Sequence, residues 1–226
     1  MAELPQGWRI VTIPSPYDAW ADPLVQQLFC KTLEMRLAGY QSEYGPGVLP
    51  LDGADFIGEH LLVCREGPEG LTPIMGFRST TLAMSRYYGL AFGGLGLVRA
   101  AGCPAHAESM QSILRHCETL SLPIAYTGSW TVDPSTRSDG EVKRCLRELF
   151  MAMYVLFHHD SGTRIIAGCT IRFKVDHWLS QWGFEPLRQT EGELDPILVP
   201  CLLNEKVKVM YLKRFSPQIL QQAEQW

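Results

Sequence analysis

Residues Val132 to Val142 read V-D-P-S-T-R-S-D-G-E-V, and an amphipathic pattern begins at once behind them. Val142, Cys145, Leu146, Leu149 and Met153 recur at helical spacing, and Phe150 to Phe157 is apolar nearly all round. An apolar run, Ile124 to Val132, leads in. The order predicted is strand, short polar loop, helix, with the far end of the helix buried between layers. The first turn of such a helix carries unpaired N–H groups and the positive end of the macrodipole, so it suits a phosphate. The loop itself has little side-chain chemistry, which points to gripping a pyrophosphate or phosphopantetheine arm rather than reacting with it.

Strand and helix patterns alternate elsewhere too. Trp8 to Ile13 reads as an opening strand. Asp22-Pro23 is a helix start, Asp as N-cap and Pro in the first turn, and the helix is expected to stop at Gly39. Residues 41 to 58 read as a loop or broken helix. His60 to Arg65 and Ile74 to Leu82 read as strands joined across Gly67, Pro68 and Gly70, and Tyr87 to Val98 as a hairpin or a loop. Pro104 opens a second amphipathic helix, with Met110, Ile113, Leu114, Cys117 and Leu120 on one face. Arg164 to Arg172 is a strand, Val175 to Trp182 a short helix ended by Gly183, and Val207 to Lys213 a late strand with one wet face. This mixture predicts α/β or α+β architecture in one domain spanning residues 1–226.

Bulk properties narrow the function. The chain has 226 residues, is 46% hydrophobic and carries a formal net charge of -4, which argues against nucleic acid as partner. Seven cysteines contain no C-x-x-C pair, as expected of reduced thiols in a cytoplasmic protein. Met1 to Trp8 lacks a charged and apolar leader pattern, and glycines break the longest weakly polar run, Tyr88 to Val98, so neither a secretion signal nor a membrane span is expected. His158-His159-Asp160 marks a helix end better than a metal site, and no metal is expected. Gly93-Gly94-Leu95-Gly96 lacks the last glycine of a dinucleotide fingerprint and reads as a turn.

Val132, Pro134, Arg137 and Gly140 resemble, in register, the V-x-P-x-x-[RQ]-x-x-G-x-[GA] segment of the GNAT (GCN5-related N-acetyltransferase) superfamily; Val142 departs from its last position. A second match lies at His177-Trp178-Leu179-Ser180-Gln181-Trp182-Gly183-Phe184, similar to the family's helix that ends in a G-F pair. The two matches span about residues 124–187. Upstream, Asp52-Gly53-Ala54-Asp55, the run from His60 and Gly76-Phe77-Arg78 resemble the acyl-homoserine-lactone synthases and the related N-acyl amino acid synthases. The Arg, Phe and Trp expected on the first helix of the lactone synthases do not fall in register.

The resemblance implies a GNAT fold, a mixed, mostly antiparallel twisted sheet with helices on both faces. It also implies transfer of an acyl group from acyl-CoA, or from the phosphopantetheine of an acyl carrier protein, to a small-molecule amine such as an amino acid. Direct attack on the thioester needs a held donor, a deprotonated amine and a donor to the oxyanion. Trp130, Val132, Arg137, Ser138, Asp139, Gly140, Glu141 and Val142 are the implied cofactor-binding positions. The usual Glu, six residues before Val132, is replaced by Tyr126, and the usual Tyr, four before Gly183, by Leu179. The base is therefore sought among Asp52, Asp55, Glu59 and His60, with Tyr126 kept as a candidate. Arg78 and Glu43 are candidates for substrate binding. Two alternatives stay open: a thioester-binding module without turnover, and a decarboxylase or hydrolase of acyl thioesters on the same fold.

Overall fold

The computed structural model describes residues 3–49, 51–190 and 192–226. Along the chain the elements are β1 (Trp8–Ile13), α1 (Pro23–Tyr44), α2 (Ala54–Ile57), β2 (Glu59–Gly67), β3 (Gly70–Thr81), α3 (Leu82–Tyr87), α4 (Gly93–Ala100) and α5 (Pro104–Thr119). There follow β4 (Ile124–Val132), α6 (Gly140–Asp160), β5 (Arg164–Thr170), α7 (Val175–Trp182), the short strands β6 (Glu185–Pro186), β7 (Arg188–Gln189), β8 (Gly192–Glu193) and β9 (Ile197–Val199), then β10 (Glu205–Leu212) and α8 (Pro217–Ala223). The main sheet has eight strands, ordered β1-β2-β3-β4-β5-β10-β6 with β9 beside β10. It is mostly antiparallel and flanked by helices, which is the GNAT-like architecture expected; β4 and β5 run parallel.

The chain divides into two compact units. The first comprises the residues up to Ser79, Gly128–Tyr154 and Gln222–Trp226; the second comprises Thr80–Thr127 and Val155–Gln221. In the first, β1 pairs antiparallel with β2 and β2 with β3. Ile13, Leu28, Leu62 and Cys64 form one core cluster there. Phe77, Trp130, Phe150 and Tyr154 form another, with ring centroids 5.0–5.9 Å apart, four pairs tilted or edge-on and Phe150–Tyr154 stacked, arrangements that aromatic quadrupoles favour. In the second, α4, α5, β5, β9 and β10 enclose a core around Met110, Ile124, Ile166, Val207 and Tyr211.

Helix α1 begins as expected, the Asp22 side chain accepting from Leu24 N at 2.8 Å. It does not stop at Gly39 but runs on to Tyr44. Gly39 serves close approach instead: a Cβ there would sit 2.6 Å from Thr131 Cγ2 of β4. Gly76, the first residue of the G-x-R segment, has a similar role, its missing Cβ lying 2.8 Å from Leu61 O on the paired strand.

Tyr87 to Val98 is not a hairpin: residues 88–92 form a connecting turn and loop after α3, and α4 takes up the stretch from Gly93. Gly93 and Gly94 open a helix because the Tyr126 ring packs against them; a Cβ at Gly93 would meet Tyr126 Cδ1 at 2.7 Å. Tertiary packing thus overrides the low helix propensity of glycine. The wet face expected of the late strand holds only in its first half, where Lys206 is exposed and Lys208 half-buried between buried Val207 and Val209. Strand β10 pairs on both sides, and Val209 to Leu212 are all buried.

All seven cysteines are free thiols. Among the described residues no helix is long and apolar enough to cross a membrane, and no group of three or more His, Cys, Asp or Glu is placed to hold a metal.

Candidate functional site

In the first unit β4 leads into the loop singled out above. Ser129, within β4, adopts φ 58°, a left-handed conformation that costs a non-glycine residue strain and clusters at functional sites. The β4–β5 pairing runs only from Ile124↔Arg164 to Thr127↔Ala167, although β4 continues to Val132. Beyond it, Pro134–Thr136 form one 3-10 turn, capped by Asp133 Oδ1 on Ser135 N at 2.8 Å. Asp133 N donates to Ile74 O at 2.9 Å, fixing where the loop leaves the sheet.

Helix α6 then starts at Gly140. Its first N–H groups are already holding an anion, since Glu141 N and Val142 N donate to Asp139 Oδ1 at 2.9 and 3.1 Å. Ser138, Asp139, Gly140 and Glu141 are exposed, and a Cβ on Gly140 would meet nothing within 4 Å. Arg137 turns toward α1. Its Nη2 donates to Val132 O at 2.9 Å, and its Nη1 lies 2.7 Å from Glu43 Oε1. Arg137 and Glu43 therefore brace the loop against the end of α1, and Trp130 sits half-buried in the aromatic cluster with Phe150 and Tyr154.

The D-x-x-D segment folds into a self-capped turn around α2. Ala54 N donates to Asp52 Oδ1, and Asp52 N to Asp55 Oδ2, both at 2.9 Å. Asp55 is fully buried and takes two cations: Arg36 Nη1 at 2.5 Å and Arg78 Nη1 at 2.6 Å. Arg78 Nη1 also reaches Asp52 Oδ1 at 2.9 Å. Two arginines and two aspartates balance, and they tie α1, α2 and β3 together. Burial pushes the Asp55 carboxyl up, but Arg78 and Arg36 together outweigh it and hold the group below its ordinary value. Arg36 was not foreseen. Its signal was its place on the buried stripe of α1, with Leu28, Phe29, Thr32, Met35 and Gly39, where a lone cation demands a partner.

His60 is buried against Phe29, and its Nε2 donates to Asp55 O at 2.7 Å. Burial lowers its pKa to about 4, so the ring is neutral at pH 7. The sign of the pH dependence follows. Between about pH 6.5 and pH 4 the unfolded chain binds a proton that the folded chain refuses, so stability is lost as pH falls through that window. Urea melts should show a loss on the order of 3 kcal/mol across it, and His60→Gln should flatten that slope; an equal slope in the variant would place its origin elsewhere.

Glu59 starts β2 opposite Ser79 of β3. It is half-buried and, among the described residues, its carboxyl makes no ion pair or hydrogen bond; burial raises its pKa above the ordinary value. Asp52, Asp55, Glu59, His60 and Arg78 thus lie within the first unit. Tyr126 belongs to the second, with its ring against Phe92 and the α4 glycines. In that unit Leu179 is buried, and the helix ends as the G-F pair requires. Gly183 has φ 106°, a Cβ there would lie 2.9 Å from Arg214 O, and Phe184 N closes the cap on Leu179 O at 3.0 Å.

These features define a GNAT-like fold. Among solved structures the chain resembles BjaI, a CoA-dependent acyl-homoserine lactone synthase determined with SAM and isopentyl-CoA, at 18% identity and a TM-score of 0.60 over 97% of this chain and 89% of that one. The same synthase with MTA matches at 17% identity and TM-score 0.56, again over 97% and 89%. The lactone synthase LasI matches at 8% identity and TM-score 0.50 over 90% of this chain and 87% of that one. No family model matches the chain, and no curated protein does.

Proposed function

We propose that this chain is an N-acyltransferase that takes an acyl group from acyl-CoA, or from acyl carrier protein, and moves it to the amine of a small molecule such as an amino acid, with residues 1–226 acting as one catalytic domain. The observation that carries the reading is the start of α6. Behind a strand with one left-handed residue, two N–H groups of the first helical turn hold the capping carboxylate of Asp139, so the donors that a phosphate needs are gathered at this helix start. The lactone synthase that the chain resembles was determined with an acyl-CoA, which supports the same donor class here.

The residues then take distinct roles. The N–H groups of Gly140 to Val142 hold the phosphates once Asp139 swings away, and Ser138 lies beside them. Arg137, braced by Glu43, fixes the loop. Trp130 and Val132 line the arm. Asp55 and His60 are structural, because one is enclosed by two guanidinium groups and the other is neutral and donates to a carbonyl. Asp52 and Arg78 already bind each other, leaving Asp52 as the more exposed contact for a cationic acceptor. Glu59 is the proton acceptor, since a half-buried carboxyl with a raised pKa and no cation beside it sits nearer to the pH at which a base is useful. The thiolate leaves to solvent, because Leu179 stands where the family places an acid.

Incubation of the protein with acyl-CoA and acyl carrier protein donors and a library of amines, read by mass spectrometry, tests the reaction. An N-acyl product with one donor class is expected, and no thioester consumption with any donor overturns it. Free acid or a shortened acyl group as sole product would identify a hydrolase or decarboxylase instead. The open space at Gly140 means that Gly140→Asp should fold normally and still weaken CoA binding by about tenfold or more. Unchanged affinity in calorimetry would remove the loop from the donor site.

A further inference from the structure

We propose that the junction of α7, β6, β10 and α8 is a binding site for a small zwitterion of the free amino acid class, independent of the acyl-transfer reading. A cavity of about 300 Å³ opens there in the second unit. Lys213, Arg214 and Glu185 stand in its lining, together with Gly183, Tyr211 and Phe215. That volume is at the lower end for small-molecule sites, and a few placed polar groups on apolar walls are how such sites orient a ligand.

Backbone contacts fix the walls. A Cβ on Gly183 would lie 2.9 Å from Arg214 O and 3.2 Å from Ser216 N, so the end of α7 is pressed against the chain that follows β10. Ser216 N donates to Trp182 O at 2.9 Å, and its Oγ to Gln181 O at 3.1 Å. Glu185 is set opposite Tyr211 by the pairing of β6 with β10. Tyr211 and Phe215 are buried, and the Tyr211 hydroxyl is engaged with Cys117 Sγ at 3.9 Å. These two residues therefore supply apolar surface, and the polar chemistry of the cavity falls chiefly to its charged side chains.

Charge selects the occupant. Lys213, Arg214 and Glu185 are exposed, and among the described residues their side chains make no ion pair or hydrogen bond. Two adjacent cations without an acid suit a carboxylate, which ammonium and guanidinium groups hold by charge-assisted hydrogen bonds. Glu185 lines the same cavity from the neighbouring strand. It opposes a simple anion and offers a partner to an ammonium group. A simple cation would meet two like charges for one opposite charge. A ligand that carries both a carboxylate and an ammonium answers all three side chains, and Phe215 gives its apolar part a wall.

The test titrates L-leucine into the isotope-labelled full chain while the amide signals of Gly183 and Ser216 are followed by NMR. N-acetyl-L-leucine, which lacks the ammonium, and L-leucinamide, which lacks the carboxylate, are the comparison ligands. Leucine should move both signals at concentrations on the order of millimolar, about tenfold or more below either analogue. Lys213→Gln combined with Arg214→Gln should weaken leucine by about tenfold or more, and Glu185→Gln should remove its advantage over N-acetyl-L-leucine. The three side chains are exposed, so circular dichroism should stay that of the parent. Equal affinity for the three ligands, no movement at about 50 mM leucine, or unchanged binding in the doubly substituted chain would overturn the proposal. Leucine bound as an acyl acceptor would survive these substitutions, and failure of acyl transfer leaves every one of these readings intact.

Discussion

Glu59→Gln should lower kcat about 10²–10⁴-fold while leaving donor affinity within a few-fold of the parent. The substitution is nearly isosteric. It removes the one candidate carboxylate that no cation or N–H holds among the described residues, and it leaves the hydrogen-bonded partnership of β2 with β3 intact. Because burial raises the Glu59 pKa, the acid limb of the parent's rate profile should lie above the ordinary carboxyl range, with activity rising as the group deprotonates. That limb should vanish in the variant. Turnover within threefold of the parent would mean that water, or another group, takes the proton.

Asp55→Asn should cost about 3–5 kcal/mol of unfolding free energy, the range seen when one partner of a buried ion pair is removed. The amide has nearly the same shape, so little of the loss comes from packing. It comes from Arg36, which is 1% exposed and would be left without its carboxylate. Arg78 suffers less, because Asp52 still reaches it at 2.9 Å. Arg36→Met in the Asp55→Asn background should therefore recover part of the loss, a non-additivity expected only of directly coupled groups. The contribution of Asp55 should be full above its unfolded pKa and fade as pH falls through its lower folded value. Urea melts showing a loss below about 1 kcal/mol would mean that water reaches the cluster.

Much of the fold was legible because its signals are local. Asp22-Pro23 starts α1, Pro104 starts α5 and Gly183 ends α7, each by capping or by backbone conformation that neighbours in sequence determine. Gly39 and Gly93 misled for one common reason. A glycine in a helical pattern reads as a stop or a turn, whereas here the missing side chain leaves room for Thr131 in one case and for Tyr126 in the other. Those contacts join residues far apart in the chain, so no window of sequence contains them. The candidate site divides in the same way. Its residues are legible in the sequence, but sorting Asp52, Asp55, Glu59 and His60 into paired and unpaired groups needs Arg36 and Arg78 in space. The Arg137 contact with Glu43 is likewise invisible in the sequence, since it joins the end of α1 to a loop far along the chain.

The balanced quartet of Arg36, Arg78, Asp52 and Asp55 bears on how chains of this kind can diverge. Charge neutrality around a buried aspartate makes its partners heritable as pairs rather than singly. A lineage that drops the buried aspartate should have lost or replaced an arginine of α1 in the same interval, or have opened the site to solvent. A reader comparing descendants of this sequence should find these positions moving together, even though α1, α2 and β3 are separated along the chain.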